Sequence, residues 1–160
     1  GIHDWLRGTG GDRLQAARFR KEDSMMKVHA AALVLLFAGP ALADDYVSFQ
    51  SPTGNIHCGI YSDASGTWAR CDLKQLTRTY DYQPAGCDYD WGNSFEVAID
   101  GKGYLACVSD AVFSPDNPVL PYGEAVSVGG VSCVSAKTGM TCTNAEGHGF
   151  SVAKAKQRLF

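Results

Sequence analysis

The cysteines are the strongest constraint on the fold of this chain. All six lie between residues 58 and 142 of a 160-residue sequence. An even number of cysteines confined to one part of a chain is typical of an exported domain held by disulfides in an oxidising compartment. We therefore expect three disulfides among these six residues, which are Cys58, Cys71, Cys87, Cys107, Cys133 and Cys142.

Hairpin register predicts two of the disulfides. Cys58 and Cys71 lie symmetrically about a predicted turn, and so do Cys133 and Cys142. Directly opposed residues on antiparallel strands are close enough to be bridged. We therefore expect each of these pairs to form a disulfide across its own hairpin.

The remaining bridge, Cys87–Cys107, follows by elimination. A hairpin folded at Gly101-Lys102 would place Glu96 opposite Cys107, so Cys87 has to reach the sheet from an upstream loop. The resulting set is the sequential choice among the fifteen pairings that six cysteines allow.

Short β-favouring runs separated by Gly, Pro, Asn and Asp occupy the chain after residue 43, and helical periodicity is nearly absent. Phe95, Val97 and Ile99 alternate as on one face of a strand. The pattern predicts a mainly β fold, namely a small disulfide-stapled antiparallel sheet, sandwich or open barrel built from hairpins. Strands are predicted over residues 46–50, 55–61, 67–73, 94–99 and 104–108, a third hairpin over about 126–144, and a proline-rich loop over 111–124.

An uncharged run precedes the cysteine-containing part. Lys27 is followed by residues 28–43, which carry no charge and end on small residues at Ala41 and Ala43. A positive residue, an apolar stretch and small residues before the cut are the layout of a secretory signal peptide. The apolar core over 30–38 is too short for a membrane anchor, which takes about 20 apolar residues. We expect cleavage after Ala43.

Residues 1–24 need another explanation, because Met25 and Met26 stand where a signal peptide would begin. Residues 21–23 can be encoded by a purine-rich stretch similar to a bacterial ribosome-binding site. We interpret 1–24 as translated upstream sequence or as residues added in cloning, and a genuine disordered extension is the alternative. The predicted organisation is upstream sequence over 1–24, a signal peptide over 25–43 and a single secreted domain, periplasmic or extracellular, over 44–160.

The predicted mature part is acidic. Residues 44–160 contain thirteen acidic and eight basic residues, a net charge of −5. A surface of this kind, without a cluster of Lys or Arg, argues against nucleic acid or an anionic membrane as partner. No membrane span is expected in the mature form. No motif for a cofactor, a metal or a catalytic nucleophile is present, so we assign none.

His148 is the most prominent titratable candidate. It lies between two glycines, which let the backbone approach a ligand or adopt a positive φ. With His57 and either Asp72 or Asp110 it would offer two imidazoles and a carboxylate to a metal. No ligand spacing supports such a site. We therefore expect the His148 side chain to hydrogen-bond the backbone and Phe150 to enter the core.

Two other segments are candidates for function. Asp88 and Asp90 lie beside Trp91, and acids next to an aromatic ring can form a sugar site. The interpretation that we favour for them is a solvated acidic loop. Tyr122 follows a proline and precedes a glycine. It is expected to cover an end of the core from a rigid turn, and an aromatic anchor for a partner is the alternative.

Three motifs occur in order along the mature part. They are Phe49-x-Ser51-Pro52-x-Gly54-Asn55-Ile56-x-Cys58, Leu120-Pro121-Tyr122-Gly123, and Gly139-x-Thr141-Cys142-x-Asn144-x-x-Gly147-His148-Gly149-Phe150. With these motifs the chain resembles a bacterial family of small exported, cysteine-containing proteins of unknown function, found in actinobacteria and marine alphaproteobacteria. The resemblance spans about residues 49–155, and it implies export and a shared fold but no established activity.

Two functions stay open at this point. The lack of a catalytic motif favours a non-catalytic binding or envelope-associated module, such as an inhibitor, whose partner is an unknown protein or envelope component. The alternative is a hydrolase of envelope polymers centred on His148 with an acidic partner. A His148 side chain in a concave pocket, within reach of a carboxylate or of His57, would favour the enzyme.

Overall fold

Strands account for all the regular structure that can be described. The computed structural model describes residues 45–160, and the expectations for 1–24 and 25–43 lie outside that part. The strands are β1 (Asp45–Gln50), β2 (Ile56–Asp63), β3 (Gly66–Leu73), β4 (Asp90–Ala98), β5 (Tyr104–Val108), β6 (Ala125–Val128), β7 (Val131–Ala136), β8 (Gly139–Thr143), β9 (Gly149–Ala153) and β10 (Lys156–Leu159).

The ten strands form two antiparallel sheets. The first has the order β1-β2-β3-β4-β5 and the second the order β10-β9-β8-β7-β6, so each sheet is a meander of neighbouring hairpins. The sheets pack face to face, with β3 against β7 and β4 against β9. The predicted mainly β fold is confirmed, and among the predicted forms it is the sandwich of two open sheets.

The β4–β5 register differs from the predicted one. Glu96 faces Tyr104, and Cys107 faces Trp91, so the expectation that Glu96 lies opposite Cys107 is wrong. The register shifts near Gly92, whose φ is +97°. An irregularity of this kind moves every partner beyond it along the ladder. On the turn side of this shift the pairs Glu96–Tyr104 and Phe95–Leu105 are centred on Asp100 rather than on Gly101-Lys102, so the predicted turn position was itself wrong.

The second sheet contains more strands than the sequence predicts. The expected hairpin over 126–144 is three strands, because a two-residue turn at Gly129 and Gly130 separates β6 from β7. Their φ values of +54° and +92° are of the kind that a tight hairpin turn requires. Strands β9 and β10 have no counterpart in the prediction. The β10 sequence Lys156-Gln157-Arg158-Leu159 is mostly polar, as edge strands often are.

The core lies between the two sheets. Phe95 and Val97 point into it as predicted, whereas Ile99 lies beyond the end of β4 and is exposed. Phe150 is fully buried, as expected, and its ring centroid lies 6.2 Å from that of Phe95 across the sandwich. Each sheet thus has one apolar inner face, which alternation along the strands provides.

Two disulfides cross hairpins at the centre of this core. Cys58–Cys71 joins β2 to β3 and Cys133–Cys142 joins β7 to β8, with Cα separations of 4.1 and 4.0 Å. Both bridges are fully buried, and Cys71 Sγ lies 3.7 Å from Cys142 Sγ. The predicted pairings are present, and the two bridges contact each other across the sandwich.

The third bridge lies at the edge of the first sheet. Cys87–Cys107 ties the segment before β4 to β5, with a Cα separation of 5.6 Å, as the sequential pairing predicts. The predicted loop over 111–124 is confirmed, since its only ladder contact is an isolated bridge between Val119 and Gln50. This loop connects the two sheets.

The connecting loops lie at two opposite ends of the sandwich. We name one of them the far end; it contains residues 64–65, 99–103, 129–130 and 144–148. There the Asn144 side chain connects the two sheets by donating to the carbonyls of Ala98 and Gly101. The other end contains residues 51–55, 74–77, 137–138 and 154–155.

Candidate functional site

His148 lies at the far end, in the loop between β8 and β9. Its side chain is 40% exposed, and Nδ1 is 3.5 Å from Glu146 Oε2 without forming a hydrogen bond. The main chain makes the contacts instead: His148 N donates to Asn144 Oδ1 at 3.1 Å. The expected hydrogen bond from the imidazole to the backbone is therefore absent from the described structure.

The glycines beside His148 serve the packing of the chain. A Cβ atom at Gly149 would collide with the carbonyl of Cys142, and one at Gly103 would collide with the backbone of Gly149. Gly147 has a φ of +80°. Close approach and positive φ, rather than a ligand, account for these residues.

His57 lies far from His148 and is fully buried. Its Nε2 is 3.2 Å from the carbonyl of Gly54, and its Nδ1 is 3.2 Å from Asn117 Nδ2. Nε2 therefore donates and Nδ1 accepts, which defines a neutral ring. Burial, aided by the charge of Lys74, lowers the pKa of His57. Both ring nitrogens are occupied, so the ring has no free position for a metal.

Buried Arg70 binds the carboxylates of Asp72 and Asp110, the two residues considered above as metal ligands together with His57. Arg70 donates from Nε and Nη2 to the Asp72 carboxylate at 2.9 Å each, and from Nη1 to Asp110 Oδ1 at 2.8 Å. The hydrogen bond and charge of Arg70 lower the pKa of Asp110. Asp72 also accepts from Val112 N at 2.9 Å. The network fastens the segment after β5 to the first sheet, and no sequence pattern had singled out Arg70.

Asp88 and Asp90 are both exposed, and Asp90 opens β4 rather than lying in a loop. Asp90 and Trp91 line a cleft of about 350 Å³, whereas Asp88 does not. The guanidinium carbon of Arg78 lies 4.3 Å from the Trp91 ring centroid and occupies that aromatic face. Arg78 thus covers one face of the Trp91 ring. The cleft is lined by Asp72, Asp90, Trp91, Asn93, Ser94, Val108, Asp110, Ala111 and Phe113.

A larger cleft of about 580 Å³ lies at the end opposite His148. Loops of both sheets and the connecting loop contribute to it, and we name it the lysine cleft. Residues of all three motifs line it. Its lining residues are Ser51, Thr53, Gly54, Asn55, Ile56, Lys74, Gln75, Tyr122, Ala136, Lys137, Gly139, Ala153, Lys154 and Ala155.

Hydrogen bonds hold the walls of the lysine cleft. In the β1–β2 turn, Ile56 N donates to Ser51 Oγ at 3.1 Å, and Gly54 N donates to the carbonyl of Ser51 at 2.8 Å. Asn55 joins this turn to the segment after β3: its Nδ2 donates to the carbonyl of Gln75, and its Oδ1 accepts from Gln75 N, both at 3.0 Å. The turn is thereby fixed before any ligand arrives.

Tyr122 projects from a constrained turn. Gly123 N donates to the carbonyl of Ser135 at 2.7 Å, and Ser135 N donates to the carbonyl of Glu124 at 3.0 Å, so β7 holds the turn from the other side. The Tyr122 ring is 42% exposed and lines the lysine cleft. An aromatic ring on a fixed backbone is a good contact group for a partner.

The charge of the lysine cleft is of one sign. Lys74, Lys137 and Lys154 line it, and no acidic residue of the described part, 45–160, does. The three lysines come from three loops that lie far apart in the sequence, so a search for basic clusters along the chain misses them. The predicted turns and the Tyr122 segment were the only sequence signals that pointed to this end.

Metal-ligating groups are sparse in the described structure. The one group of three potential ligands within residues 45–160 is Cys71, Cys133 and Cys142, and all three sulfurs belong to disulfides. Such sulfurs cannot act as thiolate ligands. Within the same residues, no helix is long and apolar enough to cross a membrane.

Comparison with known proteins supplies a family but no activity. No curated protein and no solved structure matches the chain. The model of one family, described as a family of unknown function (DUF6636), matches residues 30–160. Because that match covers most of the sequence, the chain belongs to the DUF6636 family of unknown function.

Proposed function

We propose that this protein is an exported, non-catalytic binding module that recognises a component of the cell envelope with the lysine cleft. The observation that carries the proposal is the convergence of loops from both sheets and of Tyr122 on one cleft of about 580 Å³. Ligand sites of small β-sandwiches are commonly built from loops that a rigid scaffold positions at one end.

The rigidity of the cleft supports a binding role. The turn at residues 51–55 and the turn of Tyr122 are each held by several hydrogen bonds, including those of Asn55 with Gln75. A preformed site loses little conformational entropy when a ligand binds, which improves affinity. No observation on residues 45–160 favours the hydrolase alternative, since His148 lies in an exposed loop and forms no hydrogen bond with Glu146 Oε2, which is 3.5 Å from its Nδ1.

The disulfides and the sequence before the domain support export. Three bridges in a domain of this size suit an oxidising compartment. The proposed location is the periplasm or the medium, with cleavage after Ala43.

Binding to purified envelope fractions, including peptidoglycan, tests the proposal. The exported protein should sediment with one of these fractions, and Tyr122→Ala should weaken binding by roughly tenfold or more because it removes the aromatic anchor. Tyr89→Ala is the matched control, since Tyr89 is 63% exposed and lies outside the cleft. His148→Ala should also bind normally.

Three results would count against this function. Wild-type protein that binds no envelope fraction would contradict the proposed ligand. An equal loss of binding in the Tyr89 and Tyr122 variants would show that the cleft is not the site. Turnover of an envelope polymer that disappears in His148→Ala would restore the enzyme hypothesis.

A further inference from the structure

The charge of the lysine cleft contrasts with that of the domain around it. Residues 45–160 contain twelve acidic and eight basic residues, yet Lys74, Lys137 and Lys154 line the cleft without any acidic neighbour in the lining. Lys74 follows β3 of the first sheet, whereas the other two lie in turns of the second sheet. The positive region is therefore formed by the packing of the two sheets.

Among residues 45–160, the three ammonium groups have no counter-charge. Lys154 Nζ donates to the neutral amide oxygen of Gln75 at 3.0 Å, and Lys74 Nζ lies 5.8 Å from the centroid of the Phe113 ring. No acidic residue within 45–160 forms an ion pair with any of the three. Unpaired like charges around a concave surface produce a positive potential that attracts anions.

The uncharged lining indicates the kind of molecule that carries the anions. Tyr122 offers an exposed aromatic ring, and its neighbours offer hydroxyl and amide groups, as in Thr53 and Gln75. Aromatic rings pack against the C–H faces of sugar rings, while hydroxyls and amides hydrogen-bond their hydroxyl groups. The cleft is open to solvent rather than an enclosed cavity, which suits a polymer chain.

We propose that the lysine cleft binds an acidic polysaccharide, with Lys74, Lys137 and Lys154 contacting its carboxylate or phosphate groups and Tyr122 packing against a sugar ring. This inference rests on the proposed function and adds the chemical class of the ligand. The acidic surface elsewhere repels such a polymer, so binding is confined to the cleft. The anionic groups can be carboxylates or phosphates, because an ammonium group pairs with both.

Titration with defined polymers of matched length tests the ligand class. The probes are oligogalacturonate, which carries carboxylates, phosphorylated dextran, neutral dextran and polyglutamate. We expect the wild-type protein to bind one or both acidic glycans, and to bind the other two probes roughly tenfold more weakly, because neutral dextran has no anionic groups for the lysines and polyglutamate has no sugar rings for Tyr122. The preferred acidic glycan distinguishes carboxylate from phosphate. Increasing salt should weaken binding, because exposed charges are screened.

A charge-matched pair of triple variants tests the site. Lys74→Gln, Lys137→Gln and Lys154→Gln together should weaken binding of the preferred glycan by roughly tenfold to a hundredfold, since each exposed ion pair is worth about two- to fivefold. All three side chains are exposed, so the fold should be retained, which a melting curve checks. The control triple variant removes the same charge elsewhere, at the exposed residues Lys102, Lys156 and Arg158, and should bind as the wild type does.

The possible failures can be told apart. If neutral dextran binds as tightly as the acidic glycans, the proposal of an anionic ligand is wrong. The same holds if binding depends neither on the lysines nor on salt. Either result would leave an envelope interaction that depends on Tyr122 possible. Polyglutamate binding as tight as oligogalacturonate would overturn the polysaccharide. If neither the lysine variants nor Tyr122→Ala affects envelope binding, the proposed function itself falls.

Discussion

The imidazole of His57 is fully buried although it lies on the outer face of the first sheet. Residues of the 111–124 loop cover it: Phe113 packs edge-on against its ring at a centroid distance of 5.3 Å, and Asn117 hydrogen-bonds its Nδ1. Asn117 Nδ2 also donates to the carbonyl of Val112 at 3.0 Å. A neutral His57 is thus part of the contact that fastens the loop to the sheet.

This arrangement predicts a pH dependence of stability. The pKa of folded His57 is lowered, chiefly by burial, so on acidification the unfolded chain takes up its proton before the folded protein does. The stabilising contribution is complete above the unfolded pKa of about 6.5 and is lost as the pH falls below it. Urea unfolding from about pH 7.5 to about pH 5.5 should show a falling free energy of unfolding.

The control for this prediction is His57→Gln. It should lower the free energy of unfolding by about 1–3 kcal/mol near neutral pH, because one buried partner of the ring loses its hydrogen bond. It should also remove most of the slope between those pH values. A variant that keeps the wild-type slope would show that another group titrates.

Among the elements, the two central hairpins and the edge of the first sheet differ in how far they shield their disulfides from solvent. Cys58–Cys71 and Cys133–Cys142 are fully buried where the sheets meet. Cys107 of the third bridge is exposed on β5. Thiol–disulfide exchange requires a thiolate to reach a sulfur atom of the bridge. The bridge at the edge is therefore more accessible to exchange than the two central bridges.

Mild reduction of the folded protein should therefore open Cys87–Cys107 first. Alkylation followed by peptide mass spectrometry at successive times measures the order. In concentrated guanidinium chloride the burial is gone, and the three bridges should be reduced at similar rates. Early loss of Cys58–Cys71 under native conditions would contradict the packing described above. Loss of any one bridge should cost about 2–4 kcal/mol of stability.

For the whole molecule, the prediction concerns processing. Mass spectrometry of the exported protein should find Asp44 as the mature N-terminus, because the small residues Ala41 and Ala43 suit signal peptidase. Replacing Ala43 by a bulky residue, as in Ala43→Leu, should slow cleavage. A mature chain that begins before Met25 would refute both the signal peptide and the predicted start.

The parts of the fold that depend on neighbouring residues were predictable from the sequence. The alternation of Phe95 and Val97 indicated an inward face, and the symmetry of Cys58 and Cys71 about one turn indicated their bridge. Strand β10 escaped prediction because an edge strand that is mostly polar carries little alternation. The β4–β5 register was mispredicted because the turn is centred on Asp100 rather than on Gly101-Lys102, and because the irregularity near Gly92, which displaces the later pairs further, has no reliable local signal.

The sequence by itself determined the mainly β fold, the two hairpin bridges and most of the strands, because hairpins form between residues that are close in the chain, and the third bridge followed by elimination. Only the tertiary structure decided which loops meet. It placed His148 and the lysine cleft at opposite ends, and it brought Lys74 of one sheet beside Lys137 and Lys154 of the other. The physical reason is that the inner faces of two meanders determine how the sheets pack, and the loops are then carried to positions that their own sequences do not specify.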